Sequence, residues 1–404
     1  MKKAWCFFLL LSVVFLYCER DFSVFENPLP SREFTALEKN LAQSDNAFGI
    51  RLFQEIVRTD KKQNIFISPL SVALALGMAL NGADGETEAA IRGTLGLTGM
   101  DRDEINATFK GLIDALSSLD RAVRFQIANS VWYELGLDVE SDFIRTNKTF
   151  FDALVRGLDF GSPDAPGIIN GWVSEKTFGK IPKIIDGIQP GQVMFLINAI
   201  AFKGNWAVQF DPLKTQDDTF TGEDGNSISC SMMNLETEFD YFQNSEFEAV
   251  DMPYGSGDFS MTVLLPRRGK AIDAFIAGFS ADSLALWFGS MQKSERMLQF
   301  PKFKLEYEIE MTDVLSGLGM GIAFSDRADF TRILKIGGLK IDGVKHKTFV
   351  DVNEEGTEAA AVTSISFATS MPAFFRADRP FLYLIREKHS GSILFIGKVV
   401  DPTK

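Results

Sequence analysis

Histidine is the scarcest chemically useful residue in this chain. The 404 residues hold only two, His346 and His389. A Ser-His-Asp hydrolase would have to use one of them, and no GxSxG elbow surrounds any serine. Zinc needs three or four ligands, yet there is no HExxH and no Cys/His cluster. Cysteine is almost as rare. Cys6 lies in an N-terminal leader, which leaves Cys18 and Cys230, so neither a disulfide framework nor a CxxC motif exists. No P-loop is present, and "GLGMG" (317–321) lacks the third glycine of a dinucleotide fingerprint and reads as a helix stop. Positive charge is short as well. The chain carries 41 Lys and Arg against 54 Asp and Glu, a net charge of −13. No basic stripe offsets this, and Asp101-Arg-Asp-Glu104, which opens a helix, is itself acidic. Nucleic acid, heparin-type polyanions and anionic membranes are therefore not expected partners. A conventional enzyme is not expected either, nor a metal or a cofactor.

What is present is the material for a large core. Apolar residues make up 46% of the chain and 37 residues are phenylalanine. There is no internal repeat, low-complexity tract or linker, so one large domain is the reading. The N-terminus looks like an export signal. Lys2 and Lys3 precede an apolar run from Ala4 to Tyr17, too short to span a bilayer and suited to a signal core. Cys18 sits where a bacterial lipid-attachment cysteine would, although Tyr17 is bulkier than such sites prefer. Plain secretion and a lipid anchor both stay open. The expected division is a signal over residues 1–17, a weakly patterned lead over 18–43 and one domain over 44–404.

Along the domain, Asp45 reads as a helix cap before Phe48, Leu52 and Ile56, which recur every four residues. "NIFISPLSVALALGMALNGADGET" begins as a short buried strand, turns at Pro69 and continues as an apolar helix to about Gly82. Residues 103–117 read as another helix. Strands are expected over 124–134, 192–206, 258–266 and 297–311, and the end, "RPFLYLIREKHSGSILFIGKVVDP", reads as a hairpin buried on both faces. Helices come mostly early and strands mostly late, so the class is α+β.

One stretch does not settle. "GTEAAAVTSISFATS", Gly356 to Ser370, is small, hydroxyl-rich and carries one charge, Glu358. With period two, Thr357, Ala359, Ala361, Thr363, Ile365, Phe367 and Thr369 form an uncharged face, and the other face holds Glu358 and three serines. That pattern suits a half-buried strand. It also suits a long exposed loop, and the β-branched residues beyond Ala361 argue against a helix.

"DVNEEGTEAAAVT" resembles the hinge of the serpins, the serine-protease-inhibitor superfamily. "NIFISPLSVALALGMALNGADGETEAAI", "IANSVW", "INGWVSEKTFGKI", "LINAIAFKGNWAVQF", "FPKFKLEYEIEM", "LGMGIAFSDRADFT" and "RPFLYLIREKHSGSILFIGKVVDP" resemble serpin blocks too, in the family's order. The resemblance implies three β-sheets, eight or nine helices and an exposed reactive-centre loop near the C-terminus. It also implies a mechanism in which a protease attacks the loop as an acyl-enzyme. The freed N-terminal part of the loop then enters the main sheet as a new strand and carries the trapped protease with it.

On this resemblance Gly356, Thr357, Glu358, Ala359, Ala360 and Ala361 are the mobile hinge, and their small side chains favour inhibition over a carrier or storage role. Counting fourteen residues from Thr357 places the attacked bond at Ser370–Met371, with Phe367 and Thr369 as alternatives. No Lys or Arg lies between Glu358 and Arg376, which points to elastase-, subtilisin- or chymotrypsin-like targets; cysteine proteases stay open. Trp206, Lys302 and Glu354 match the loop-entry point. Ser68, Ser71, Asn198 and His346 match a polar cluster that governs sheet opening, with the hydroxyls and the amide expected to serve both imidazole nitrogens. The expected partner is a target protease held in a covalent complex by a monomeric inhibitor.

Overall fold

The computed structural model describes residues 33–61, 64–356 and 373–404. Helix α1 (Ala36–Thr59) is followed by strand β1 (Ile65–Ile67) and helices α2 (Pro69–Leu80), α3 (Gly85–Leu95) and α4 (Arg102–Ser118). Next come β2 (Val123–Glu134), α5 (Ser141–Phe151), β3 (Leu154–Leu158), α6 (Ala165–Lys176) and β4 (Met194–Gly204). Strands β5 (Gln216–Thr221), β6 (Ser227–Gln243), β7 (Phe247–Tyr254) and β8 (Phe259–Pro266) lead to helices α7 (Ile272–Ala277) and α8 (Ala281–Gly289). The chain continues through β9 (Gln292–Pro301), β10 (Phe303–Glu310) and the short α9 (Thr312–Leu315). It ends with β11 (Lys345–Val352), β12 (Ala373–Arg376), β13 (Phe381–Glu387) and β14 (Ile393–Val399). The described residues thus hold nine α-helices and three sheets, an α+β arrangement.

Local chemistry explains most of these boundaries. Helix α1 does not start at Asp45. Thr35 caps it in a reciprocal box, Thr35 Oγ1 accepting from the Glu38 amide at 3.2 Å and Glu38 Oε2 accepting from the Thr35 amide at 2.8 Å. Asp45 is instead buried inside the helix with neither carboxylate oxygen hydrogen-bonded, and burial pushes its carboxyl up to about 8. The four-residue apolar period was a sound guide to the buried face, since Phe48, Leu52 and Ile56 are all buried. Ser68 caps α2 and Pro69 takes its first position, where a missing N–H is harmless. After α9, Gly319 takes φ of +113°, so "GLGMG" ends the helix.

The largest sheet has the order β1-β14-β13-β8-β7-β6-β9-β12, with β5 added beside β6. The C-terminal hairpin lies within it between β1 and β8, and every residue of β13 and β14 is buried. The run 297–311 is not one strand. It divides after Pro301 into β9, in this sheet, and β10, in another.

The other two sheets are β3-β2-β4 and β10-β11. Helix α6 and the segment after it bury Ile169, Val173, Ile181 and Ile185 against Trp132, Ile197 and Ala199, covering one face of the three-stranded sheet. Helix α2 packs against β4 from the core side.

Candidate functional site

The site is the seam between β4 and β11. β4 pairs with β2 on one edge and β11 with β10 on one edge, but β4 and β11 do not pair with each other. Among the described residues, each therefore presents a row of backbone N–H and C=O groups to the seam. A cavity of about 610 Å³ lies there, lined by residues 194–199 of β4, 345–347 of β11 and the α2 face Ser71, Ala75 and Ala79.

The seam is closed at one end, where the loop begins. Gly356 bridges to Asn205 just beyond β4. The Trp206 amide donates to Glu355 O at 3.0 Å and the Phe210 amide to Glu354 O at 2.9 Å. Trp206 also donates from its indole to Asn353 O at 2.9 Å and stacks on Tyr254 with centroids 4.4 Å apart. Gly356 has φ of +141°, and a Cβ there would sit 2.2 Å from Gly204 O, so only glycine permits this approach.

Lys302 Nζ meets Glu354 Oε2 at 2.8 Å, and Thr215 Oγ1 donates to Glu354 Oε1 at 2.7 Å. Burial raises the Glu354 carboxyl, but the Lys302 and Thr215 hydrogen bonds outweigh it and hold the group below its ordinary range. Trp206 and Lys302 thus both meet the Asn353–Glu355 segment. Thr215 and Asn353 were missed, because nothing in their local sequence distinguishes a hydroxyl or carbonyl that meets a residue more than a hundred positions away.

Ser71, Asn198 and His346 line the same cavity, but the hydrogen bonding differs from expectation. His346 Nε2 accepts from the backbone N–H of Ser68 at 3.0 Å, not from a hydroxyl. The Ser68 hydroxyl donates to Leu394 O at 2.7 Å and accepts from the Ser71 amide at 3.2 Å. Asn198 donates to Asn129 Oδ1 at 2.7 Å, and its own Oδ1 is buried without a partner. The physical reason is geometric: Ser68 must cap α2, which commits its hydroxyl, while cross-strand register places Asn129 directly opposite Asn198. Burial drives the imidazole down to about 4, so His346 is neutral near pH 7, accepts at Nε2 and carries its proton at Nδ1.

The hinge residues Thr357, Glu358, Ala359, Ala360 and Ala361, and the expected bond residues Phe367, Thr369, Ser370 and Met371, lie outside the described residues. Among the described residues no group of three or more His, Cys, Asp or Glu is placed to hold a metal ion. Cys230 is buried and free, with its thiol pushed up to about 11 by burial.

Comparison with known proteins bears on family and fold. The family model "Serpin (serine protease inhibitor)" matches residues 43–402. Human Serpin I2 is 32% identical over 371 residues, covering 89% of this chain and 91% of that protein. A serpin-like protein of Thermococcus kodakarensis is 32% identical over 387 residues, 93% of this chain and 89% of its own length. Among solved structures, human thyroxine-binding globulin complexed with thyroxine superimposes with a TM-score of 0.84 at 32% identity, covering 91% of this chain and all of that one. Tengpin, a thermophilic serpin in its native state, gives a TM-score of 0.83 at 31% identity, covering 93% and 97% of the two chains. Matched along most of its length by the family model, by relatives and by fold, this chain belongs to the serpin family.

Proposed function

We propose that this serpin inhibits serine proteases as a suicide substrate, its cleaved loop entering the seam between β4 and β11. The reading is supported by two strand edges that are unpaired among the described residues and lie beside a cavity, with residues 357–372 following in the chain directly after Gly356 at the closed end of the seam. A strand entering there pairs with both edges at once. Each net hydrogen bond contributes about 0.5–1.5 kcal/mol. Burial of Ile365 and Phe367 contributes about 1.5–3 kcal/mol each. Fourteen residues span roughly 46 Å at about 3.3 Å each, enough to run the length of the seam.

The attacked bond is Ser370–Met371 in this reading, with Phe367 and Thr369 as alternatives, and the targets are elastase-, subtilisin- or chymotrypsin-like. The inhibitor acts as an exported monomer, secreted or anchored through Cys18. Mixing the protein with an elastase and boiling in detergent tests the proposal. A covalent adduct is expected; cleavage of the loop with no adduct would sink it. That second outcome would favour a carrier role, the reading suggested by likeness to a thyroxine-binding relative.

A further inference from the structure

Among the described residues, Asp45 is the only carboxylate with both oxygens buried and without a hydrogen-bond partner. It lies in α1 at 5% exposure, one helical turn before Gly49 and on the same face. At Gly49 the helix bears directly on the start of α2, since a Cβ there would sit 2.5 Å from Pro69 Cβ. Ser68, which precedes Pro69, reaches the seam. Its amide donates to His346 Nε2 on β11 at 3.0 Å, and its hydroxyl donates to Leu394 O on β14 at 2.7 Å. Next to Asp45, Asn46 pins α1 to the C-terminal hairpin, donating to Gly391 O and accepting from the Ile393 amide, both at 2.8 Å. A line of contacts thus runs from α1 at Gly49 through Pro69 and Ser68 to His346.

The charged groups of the elements packed on α1 are engaged elsewhere or exposed. Helix α2 has none at all. On β14, Lys398 meets Asp273 of α7 at 2.5 Å, and in the hairpin turn Glu387 accepts from the Ser390 amide at 2.7 Å. On α3 and α4, Glu88 pairs with Arg92 and Arg102, and Lys110 pairs with Asp114 and Asp152. Glu104 lies in the first turn of α4, and Glu86, Asp103, Asp282 and Asp313 are exposed. On α1 itself Glu38 accepts from the Thr35 amide, Arg51 donates to Thr94 O, Glu55 pairs with Arg58 and Lys39 is exposed. Burial alone therefore holds Asp45 in its acid form, up to about 8. Loss of the proton to solvent leaves a charge with no donor, which is stable only once water reaches it. Asn46 ties the helix to the hairpin, so the contact that yields is Gly49 against Pro69. We propose that Asp45 is a proton-operated lock on the seam: its acid form keeps α1 seated on Pro69, and its ionisation displaces Pro69 and Ser68 and releases His346. The consequence for strand entry rests on the inhibitory reading above; the release itself does not. Protonation of His346, which burial drives down to about 4, removes the same acceptor from the acid side.

Hydrogen exchange of the full chain at pH 6 and pH 8 tests the lock. Mass spectrometry of overlapping peptides isolates the Ser68 amide, with rates corrected for intrinsic base catalysis. In the parent, Ser68 should exchange more than about tenfold faster at pH 8, because an opening that hydrates Asp45 is favoured by the proton it sheds. It should also exchange well ahead of the β13 amides, which report global unfolding. Asp45→Asn and Asp45→Leu should both abolish the pH dependence. Its persistence in the two variants, or exchange of Ser68 in step with β13, would overturn the lock. An elastase supplies the second arm. The ratio of detergent-stable adduct from the parent to that from Asp45→Asn should be higher at pH 8 than at pH 6, since the pH dependence of the protease cancels. An equal ratio at both values overturns the link from Asp45 to the seam. Failure of the inhibitory reading is distinct from both: the parent would then form no adduct at either pH, and the exchange result alone would decide the lock.

Discussion

Strands β13 and β11 are of similar length, seven and eight residues, and they sit in opposite situations. β13 is hydrogen-bonded on both edges, to β8 and β14, and every side chain is buried. Among the described residues β11 is bonded on one edge only, to β10, and its side chains alternate between buried and partly exposed. β13 has no open edge; β11, among the described residues, has one. An unpaired edge inside a fold leaves hydrogen bonding and apolar burial unrealised, and a strand arriving there can still collect both. The contrast implies that stability is held in reserve in one region and spent in the other.

The strongest test of that contrast is to complete the seam. A nick between Phe367 and Met371 should raise the melting temperature on the order of 20 °C, because many ladder bonds form at once. Calorimetry before and after cleavage measures it, and an unchanged transition would mean that the loop stays outside. The second test blocks completion. On the proposed insertion, Thr357→Arg puts an unpaired charge on the uncharged face of the entering strand, at several kcal/mol. Cleavage should proceed at a similar rate while adduct yield falls more than about tenfold. An undiminished yield would defeat the hinge assignment.

The third and fourth tests use two buried titratable groups of opposite sign, one on each side of the comparison. Asp45 lies in α1, which packs on β14 of the large sheet. Its folded value, about 8, is above its ordinary 3.8, so its contribution is full below pH 3.8 and is lost as pH rises toward 8. Asp45→Asn should therefore stabilise the protein on the order of 4 kcal/mol at pH 8, with the gain vanishing near pH 4, as urea unfolding at both values would report. His346 runs the other way. Its folded value, about 4, is below its ordinary 6.5, so its contribution is full above pH 6.5 and is lost as pH falls toward 4. In the Asp45→Asn background, acidification from pH 7 to 4 should cost on the order of 3 kcal/mol, and His346→Gln should flatten that slope. A slope that survives the substitution would place the acid-sensitive group elsewhere.

The smallest effect is expected at the closed end of the seam. Lys302 is partly exposed, so Lys302→Ala should cost no more than about 1 kcal/mol in global stability. Its more telling readout is a modest rise in adduct yield at low salt, since the pair helps to hold the entry point shut. A loss of several kcal/mol would show that the entry point carries the fold rather than regulates it.

Much of this was legible in the sequence. The hairpin β13–β14 is two uninterrupted apolar runs about a Lys-His-Ser-Gly turn, and a strand buried on both faces leaves that mark. Helix α2 announced itself through Ser68, Pro69 and an apolar run. The start of α1 was misplaced because Asp45 is a good capping residue type in a helix that in fact begins with the Thr35–Glu38 box. The split between β9 and β10 was hidden because both halves of 297–311 have strand composition. The hydrogen bonding of the polar cluster was not legible, since the Ser68 hydroxyl donates to Leu394 O and the Asn198 amide to Asn129, while His346 takes the Ser68 backbone N–H.

By itself, the amino-acid sequence determined the α+β class, the buried hairpin and the lack of conventional catalytic and metal motifs. Those properties are local: composition, period and spacing act on near neighbours in the chain. Only the tertiary structure decided that β4 and β11 stay apart and that Gly356 closes one end of the seam against Gly204 and Asn205. Pairing between distant strands depends on which edges the whole fold brings together, and no residue in β4 or β11 carries that information alone.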